Sequence, residues 1–307
     1  MRDYQLQPPR VLLMGPPGSG KTYSISTLLE CGIKTYVIVT EPDGIASLLD
    51  AVERKKLPIE HLHWSYCPAA SQGWQSLLAL GEKIGSSTYE QLAQDKTGVG
   101  KQYTREAGMK FLNTLANFHC DRTNTDFGPV DKFGADSALV LDSMSGFNMI
   151  ALMLTIGHKS NPQQGEWGVA MNFCEQLLLK LNSDLSCFFI VTAHPDREFY
   201  EAEGRSFLTV GMLGKKLAPK VTRFFSEIVL AKRTVEGNRG IFTWSTASAD
   251  ADLKNRALPL APVLPADFRP IIQAYHRRLE LAGLTPAATA PSEPVRASPS
   301  LQPTLTK

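Results

Sequence analysis

The sequence has no uninterrupted apolar run near the about 20 residues that a helix needs to cross a bilayer, so it offers no spanning segment of that kind. Its five cysteines, Cys31, Cys67, Cys120, Cys174 and Cys187, include no C-x-x-C pair, and an odd, scattered set argues against a closed disulfide framework. Charge of one sign is also lacking. A formal net charge of +2 gives no bulk argument for a nucleic-acid partner, and only the location of charge can supply one. Met1 to Arg10 carries charge and two prolines where a signal segment would place an apolar core, so a reducing cytoplasm is the expected location. His61, His63 and Cys67 lack a fourth zinc ligand at close spacing and alternate with Leu62, Trp64 and Tyr66, which makes them one face of a strand.

What is present suits one large core: 307 residues, of which 43% are hydrophobic. The expected division is a core over 1–250, a proline-rich connector and packed C-terminal helix over 251–284, and a tail over 285–307. The tail is mainly Pro, Ala, Ser and Thr, too poor in apolar surface to offset the entropy of ordering, and is expected to be disordered. In the last helix Phe268, Ile271, Ile272, Tyr275 and Leu279 share one face.

Val11 to Met14 is a short apolar run that breaks at Gly15-Pro16-Pro17-Gly18-Ser19-Gly20, and helix formers follow from Lys21 to Glu30. Thr35 to Thr40 is β-branched and aromatic, so it forms the next strand. A strand, helix, strand unit of this length implies a parallel sheet in an α/β fold, flanked by helices. Further strands are expected at His61 to Cys67, Ser137 to Leu141, Cys187 to Thr192, Phe225 to Ala231 and Gly240 to Ser245, with a polar loop over Pro195 to Ser206.

Gly15 to Thr22 fits G-x-x-x-x-G-K-[ST] at every position, between a buried strand and a helix start. The glycines let successive N–H groups turn inward, and the helix terminus adds partial positive charge where phosphate oxygens would lie. Lys21 is then placed for the β and γ phosphates of ATP, Thr22 for Mg²⁺, and Gly15, Pro16, Pro17, Gly18, Ser19, Gly20 and Tyr23 complete the contact set. A second metal anchor is Asp142, at the end of the apolar strand Ala138 to Leu141. The next residue is Ser143, not an acid, so the water-activating base must come from elsewhere. Glu41 ends the strand after the phosphate-loop helix, at the carboxyl edge where ligands of such sheets gather, and Asp43 is its rival. His194, after the strand ending at Thr192, is expected on the same edge as a hydrolysis sensor.

These features in this order resemble the RecA-like P-loop ATPases, from about residue 9 to residue 245. Phe207 to Lys220 followed by Phe225 to Leu230 looks like the phage-encoded, single-domain members often called AAA-domain nucleotide-binding proteins, some of them single-strand annealing or recombination ATPases. The resemblance implies a RecA-like fold, MgATP hydrolysis, a homo-oligomer as ring or filament, single-stranded DNA as partner, a single-strand binding protein as a further one, and the host cytoplasm if phage-encoded. It also makes Lys215 and Lys216 candidates for completing a neighbour's site, as an arginine finger would.

From Arg205 to Arg239 eight basic residues face two acidic ones, a local excess suited to phosphate backbones, and Phe199 and Tyr200 beside Arg197 offer rings for stacking. The alternative is an assembly or loader ATPase that acts on protein partners without touching DNA. A small-molecule kinase is disfavoured because no arginine-rich lid is recognisable, and Asp126-Phe127-Gly128 stands without the other protein-kinase elements.

Overall fold

The computed structural model describes residues 6–42, 44–69, 74–94, 101–157, 163–200, 204–214, 216–236 and 239–284. Asp43, Lys215 and the tail 285–307 lie outside them.

Strand β1 (Arg10–Met14) is buried along its whole length. It leads through the glycine-rich loop into α1 (Lys21–Ser24) and α2 (Ser26–Glu30), which Ile25 joins in right-handed helical geometry. The chain continues through β2 (Lys34–Val39), α3 (Ala46–Lys55) and β3 (Leu62–Tyr66). Helices α4 (Trp74–Ser86), α5 (Tyr89–Gln94) and α6 (Lys101–Ala116) follow, then a short pair, β4 (His119–Cys120) and β5 (Thr125–Asp126). Next come β6 (Ser137–Asp142), α7 (Met144–Ile156), α8 (Gln164–Asp184), β7 (Phe188–Ala193), β8 (Pro195–Tyr200) and β9 (Arg205–Val210). A short α9 (Ala218–Val221) precedes β10 (Glu227–Glu236), β11 (Arg239–Ser245), β12 (Leu264–Pro265) and α10 (Arg269–Leu281).

Eight strands form one sheet in the order β12-β11-β10-β1-β7-β6-β2-β3. All pairings from β10 to β3 are parallel, while β10 with β11 and β11 with β12 are antiparallel. The fold is therefore α/β with a large, mostly parallel sheet.

Both faces of that sheet are covered, which is why its central strands read as unbroken apolar runs. Leu12, Met14, Ile38, Leu139, Leu141, Phe189 and Val191 point into one core with residues of α6, α7 and α8. Their neighbours Val11, Leu13, Val37, Val39, Ala138, Val140, Phe188 and Ile190 point into the other, with α2, α3 and α10. Phe268, Ile271, Ile272, Tyr275 and Leu279 enter this second core, and Phe268 meets Trp244 edge to face at 4.8 Å. His63 is buried against Tyr36 and Phe127, with ring centroids at 5.1 and 4.2 Å, and the described residues contain no group of three or more His, Cys, Asp or Glu placed to hold a metal ion.

One expectation is overturned. Pro195 to Ser206, read as a loop, is largely strand: β8 and β9 pair antiparallel from Pro195 with Val210 to Tyr200 with Arg205. The ribbon stands apart from the main sheet and stays mostly exposed or half-buried, so it carries no apolar alternation to betray it.

Candidate functional site

The parallel pairings bring the carboxyl ends of β1, β7, β6 and β2 to one edge, in that spatial order. Gly15 continues β1 and donates its N–H to Ala193 O at 3.0 Å. A Cβ on Gly15 would stand 2.5 Å from Ser19 Oγ and 2.7 Å from Ala231 O, so only glycine lets the loop turn this tightly. Gly20 has φ of 84°, and its missing Cβ would lie 2.3 Å from the Phe242 ring, which excludes a side chain on two grounds.

Inside the loop Lys21 is only 8% exposed, and Nζ donates to Gly15 O at 2.7 Å and Pro16 O at 3.0 Å. Burial pushes its pKa down, and the carboxylates of Asp142 and Glu41 counter that. Both acceptors are neutral carbonyls, so among the described residues the ammonium is buried without a directly bonded anion. Ser19 Oγ is likewise buried, with no partner among the described residues.

β6 lies two strands from β1, about 10 Å across the sheet, and α1 bridges that gap. Thr22 Oγ1 donates to Asp142 Oδ2 at 2.7 Å, and Thr192 Oγ1, from β7 in between, donates to Asp142 Oδ1 at 2.5 Å. Burial pushes the Asp142 carboxyl up, and the two hydroxyl hydrogen bonds pull the other way. A hydroxyl and a carboxylate side by side form a hard-oxygen donor set, and that chemistry fits Mg²⁺.

The end of β2 is sewn to the end of β6. Ser143 N donates to Thr40 Oγ1 at 2.8 Å, and Thr40 Oγ1 donates to Ser143 O at 3.1 Å. Ser143 Oγ donates to Glu41 Oε1, and the same hydroxyl oxygen caps α7 by accepting from Ser145 N at 3.2 Å. His194 Nε2 lies 3.9 Å from that Glu41 oxygen, with both side chains partly exposed. Thus Lys21 and Thr22, Glu41, Asp142 and His194, from four separate segments of the chain, share one edge. Lys216 is exposed in the turn before α9.

A cleft of about 730 Å³ opens beside the loop. Gly18 to Tyr23 line one wall, and Arg233, Ile241 and Phe242 of the β10–β11 hairpin line another, with Asp267 and Arg269 closing it. Tyr23 and Phe242 lie 5.1 Å apart between ring centroids. Of these residues only those of the loop and Tyr23 were expected. Phe242 enters because β11 folds back antiparallel on β10, with Arg233 opposite Phe242, a register no local pattern reveals. Thr192 and Ser143 were also missed as partners of the acids. Their one signal is a polar residue at the end of a buried strand.

The local basic excess between Arg205 and Arg239 is divided between two ends of the sheet. β10 separates Arg233, beside the glycine-rich loop, from Arg223, at the opposite edge of the sheet. Glu175 of α8 pairs with both Lys220 and Arg223 at 2.9 Å, removing part of the local excess. Compared with protein-family models and with curated proteins, the chain matches none.

Proposed function

We propose that this protein binds MgATP in Gly15 to Thr22 and hydrolyses it as a RecA-like P-loop ATPase acting on single-stranded DNA in recombination or replication. The observation that carries the nucleotide reading is the contact of Thr22 with Asp142, 2.7 Å long, beside a buried Lys21 whose nearest acceptors are neutral. A buried ammonium bonded only to carbonyls gains by meeting a phosphate oxygen, and the unpartnered Ser19 hydroxyl gains in the same way.

Thr22 and Asp142 would hold the metal, which neutralises charge on the β and γ phosphate oxygens when bound. Lys21 would leave the Gly15 and Pro16 carbonyls for the phosphates. Glu41, with Oε1 held by Ser143 Oγ, keeps Oε2 to take a proton from the attacking water. His194 touches the same carboxylate and would register the change of charge there. Lys216, with Lys215, would serve a neighbouring copy in a ring or filament.

The ribbon β8–β9 begins directly after His194 and presents Phe199, 63% exposed, which supports a strand-contacting role. One observation favours the loader reading instead: α4 and α5 expose Trp74 at 83%, Leu78 at 66% and Tyr89 at 76%, an apolar surface of the kind that meets proteins. ATPase turnover with and without single-stranded DNA, at low and high salt, separates the two. Stimulation lost at high salt supports the DNA reading, and none at either salt favours the protein partner.

A further inference from the structure

At the other edge of the sheet, by the amino ends of β1 and β10, lies a second cleft of about 480 Å³. Arg10, Arg223, Lys254, Arg256 and Arg278 line it, and among the described residues no carboxylate does. It stands at the far end of β1 from the phosphate loop, roughly 13 Å along the strand, so nucleotide bound at the loop does not reach it.

The fold builds this concentration from segments far apart in sequence. Arg10 is 5% exposed and donates to Cys187 O at 2.7 Å, Leu185 O at 2.6 Å and Asn182 O at 3.3 Å, closing the C-terminal end of α8. Residues 254–256 are laced onto the start of β10: Lys254 N donates to Ile228 O at 3.2 Å, and Arg256 N donates to Glu227 Oε2 at 2.8 Å. That lacing sets the Lys254 and Arg256 side chains beside Arg278 of α10.

Their partners are neutral. Lys254 Nζ donates to Phe225 O at 2.7 Å, and Arg278 donates to Arg256 O at 2.9 Å. All the acceptors of Arg10 are neutral oxygens as well. Arg223 pairs with the carboxylate of Glu175 at 2.9 Å. Glu227 lies beneath the cleft, fully buried, where its carboxylate accepts from the N–H groups of Arg256 and Ala257 and attracts Arg256 and Arg278, so it offsets part of the charge of the five cations. Positive charge therefore exceeds negative charge here, in a cleft larger than one inorganic anion needs.

We infer that this cleft binds the phosphodiester backbone of a nucleic-acid strand, as an anion site separate from the nucleotide loop. Phe224 and Phe225, the aromatic residues in its lining, are buried and offer no ring to a base, so the contact is to phosphates and independent of sequence. This placement rests on the strand-binding part of the proposed function and not on ATP hydrolysis.

The test is oligo-dT binding to the full chain without nucleotide, across a salt series, for wild type, R256Q/R278Q and Arg256→Glu. Each strand phosphate neutralised contributes about 0.7 to the slope of log affinity against log salt, so the double variant should lower that slope by about 1.4. Arg256→Glu should weaken binding further at low salt, and both variants should keep wild-type ATP affinity and melting temperature. An unchanged slope in variants that fold normally overturns the inference and leaves the ATPase reading untouched. Two other results also overturn it: inorganic phosphate or pyrophosphate bound through the same arginines with no oligo-dT binding, or polyglutamate bound as tightly as oligo-dT at matched salt. If wild type binds no strand at all, the cleft and the DNA role fall together, while the nucleotide site stands on its own titration.

Discussion

Thr22 and Asp142, 120 positions apart, meet through one hydrogen bond of 2.7 Å between a helix start and a strand end two places across the sheet. Thr192 holds the other oxygen of the same carboxylate. Burial raises the Asp142 pKa, so the carboxyl takes up a proton at a higher pH than an exposed aspartate. In the proposed metal site magnesium would need the ionised carboxylate, so MgATP affinity should fall on acidification at a pH above the ordinary carboxylate range. The metal-free protein moves oppositely. Its folded state binds that proton more readily than the unfolded chain, so it gains stability as pH falls through the same window. Nucleotide titrations and melting curves from neutral pH downward should show both trends, and Asp142→Asn should abolish both. A pH-independent magnesium affinity would contradict the assignment.

Glu41→Gln should leave ATP affinity nearly unchanged and lower turnover by roughly a hundredfold to ten-thousandfold, the range of a lost general base. Single-turnover hydrolysis separates that from slow product release. Ser143 would still hold the amide oxygen, so the variant removes the proton acceptor and keeps the position. Wild-type turnover in this variant would pass the role to Asp43.

Phe242 lies over Gly20 and beside Tyr23 at the mouth of the larger cleft, where a nucleobase would meet a ring. An aromatic contact contributes about 0.5–1.5 kcal/mol, so Phe242→Ala should weaken ATP binding about two- to twelvefold. Tripolyphosphate, which has no base, should bind the variant as well as it binds wild type. Equal losses for both would mean that the ring only supports the loop.

Sequence showed the parts of this site that chemistry confines to a contiguous stretch. Gly15 to Thr22 is such a stretch, and Asp142 and Glu41 could be placed because each closes an apolar run that can only be a buried strand. The residues that orient those acids could not be placed. Ser143 meets Glu41, and Thr192 meets Asp142, only because the sheet runs β1-β7-β6-β2, an order that no local pattern encodes. The same holds for Phe242, which reaches the loop through an antiparallel register, and for the ribbon β8–β9, whose exposed strands carry charge on both faces. The basic excess of this region is likewise divided in space, since Arg223 and Arg233 lie at opposite ends of β10.

His63 supplies a test of the packing that carries the site. Burial pushes its pKa down to about 4, against 6.5 for an unperturbed histidine. The unfolded chain takes up the proton as pH falls from about 6.5 and the folded chain resists until about 4, so stability present above 6.5 is lost across that interval. His63→Phe should keep the ring contacts with Tyr36 and Phe127 and flatten the melting temperature between pH 6.5 and 4. An unchanged acid slope would place the acid-sensitive group elsewhere.

The direct measurement is calorimetric titration of MgATP into wild type and Lys21→Ala at neutral pH. Saturable binding by wild type, lost or weakened at least a hundredfold in the variant, is the expected result, since it removes a charge-assisted bond to phosphate from a buried position. Wild-type protein that binds no nucleoside triphosphate in magnesium buffer, or a variant that binds as tightly as wild type, would contradict the assignment of Gly15 to Thr22 as the nucleotide site.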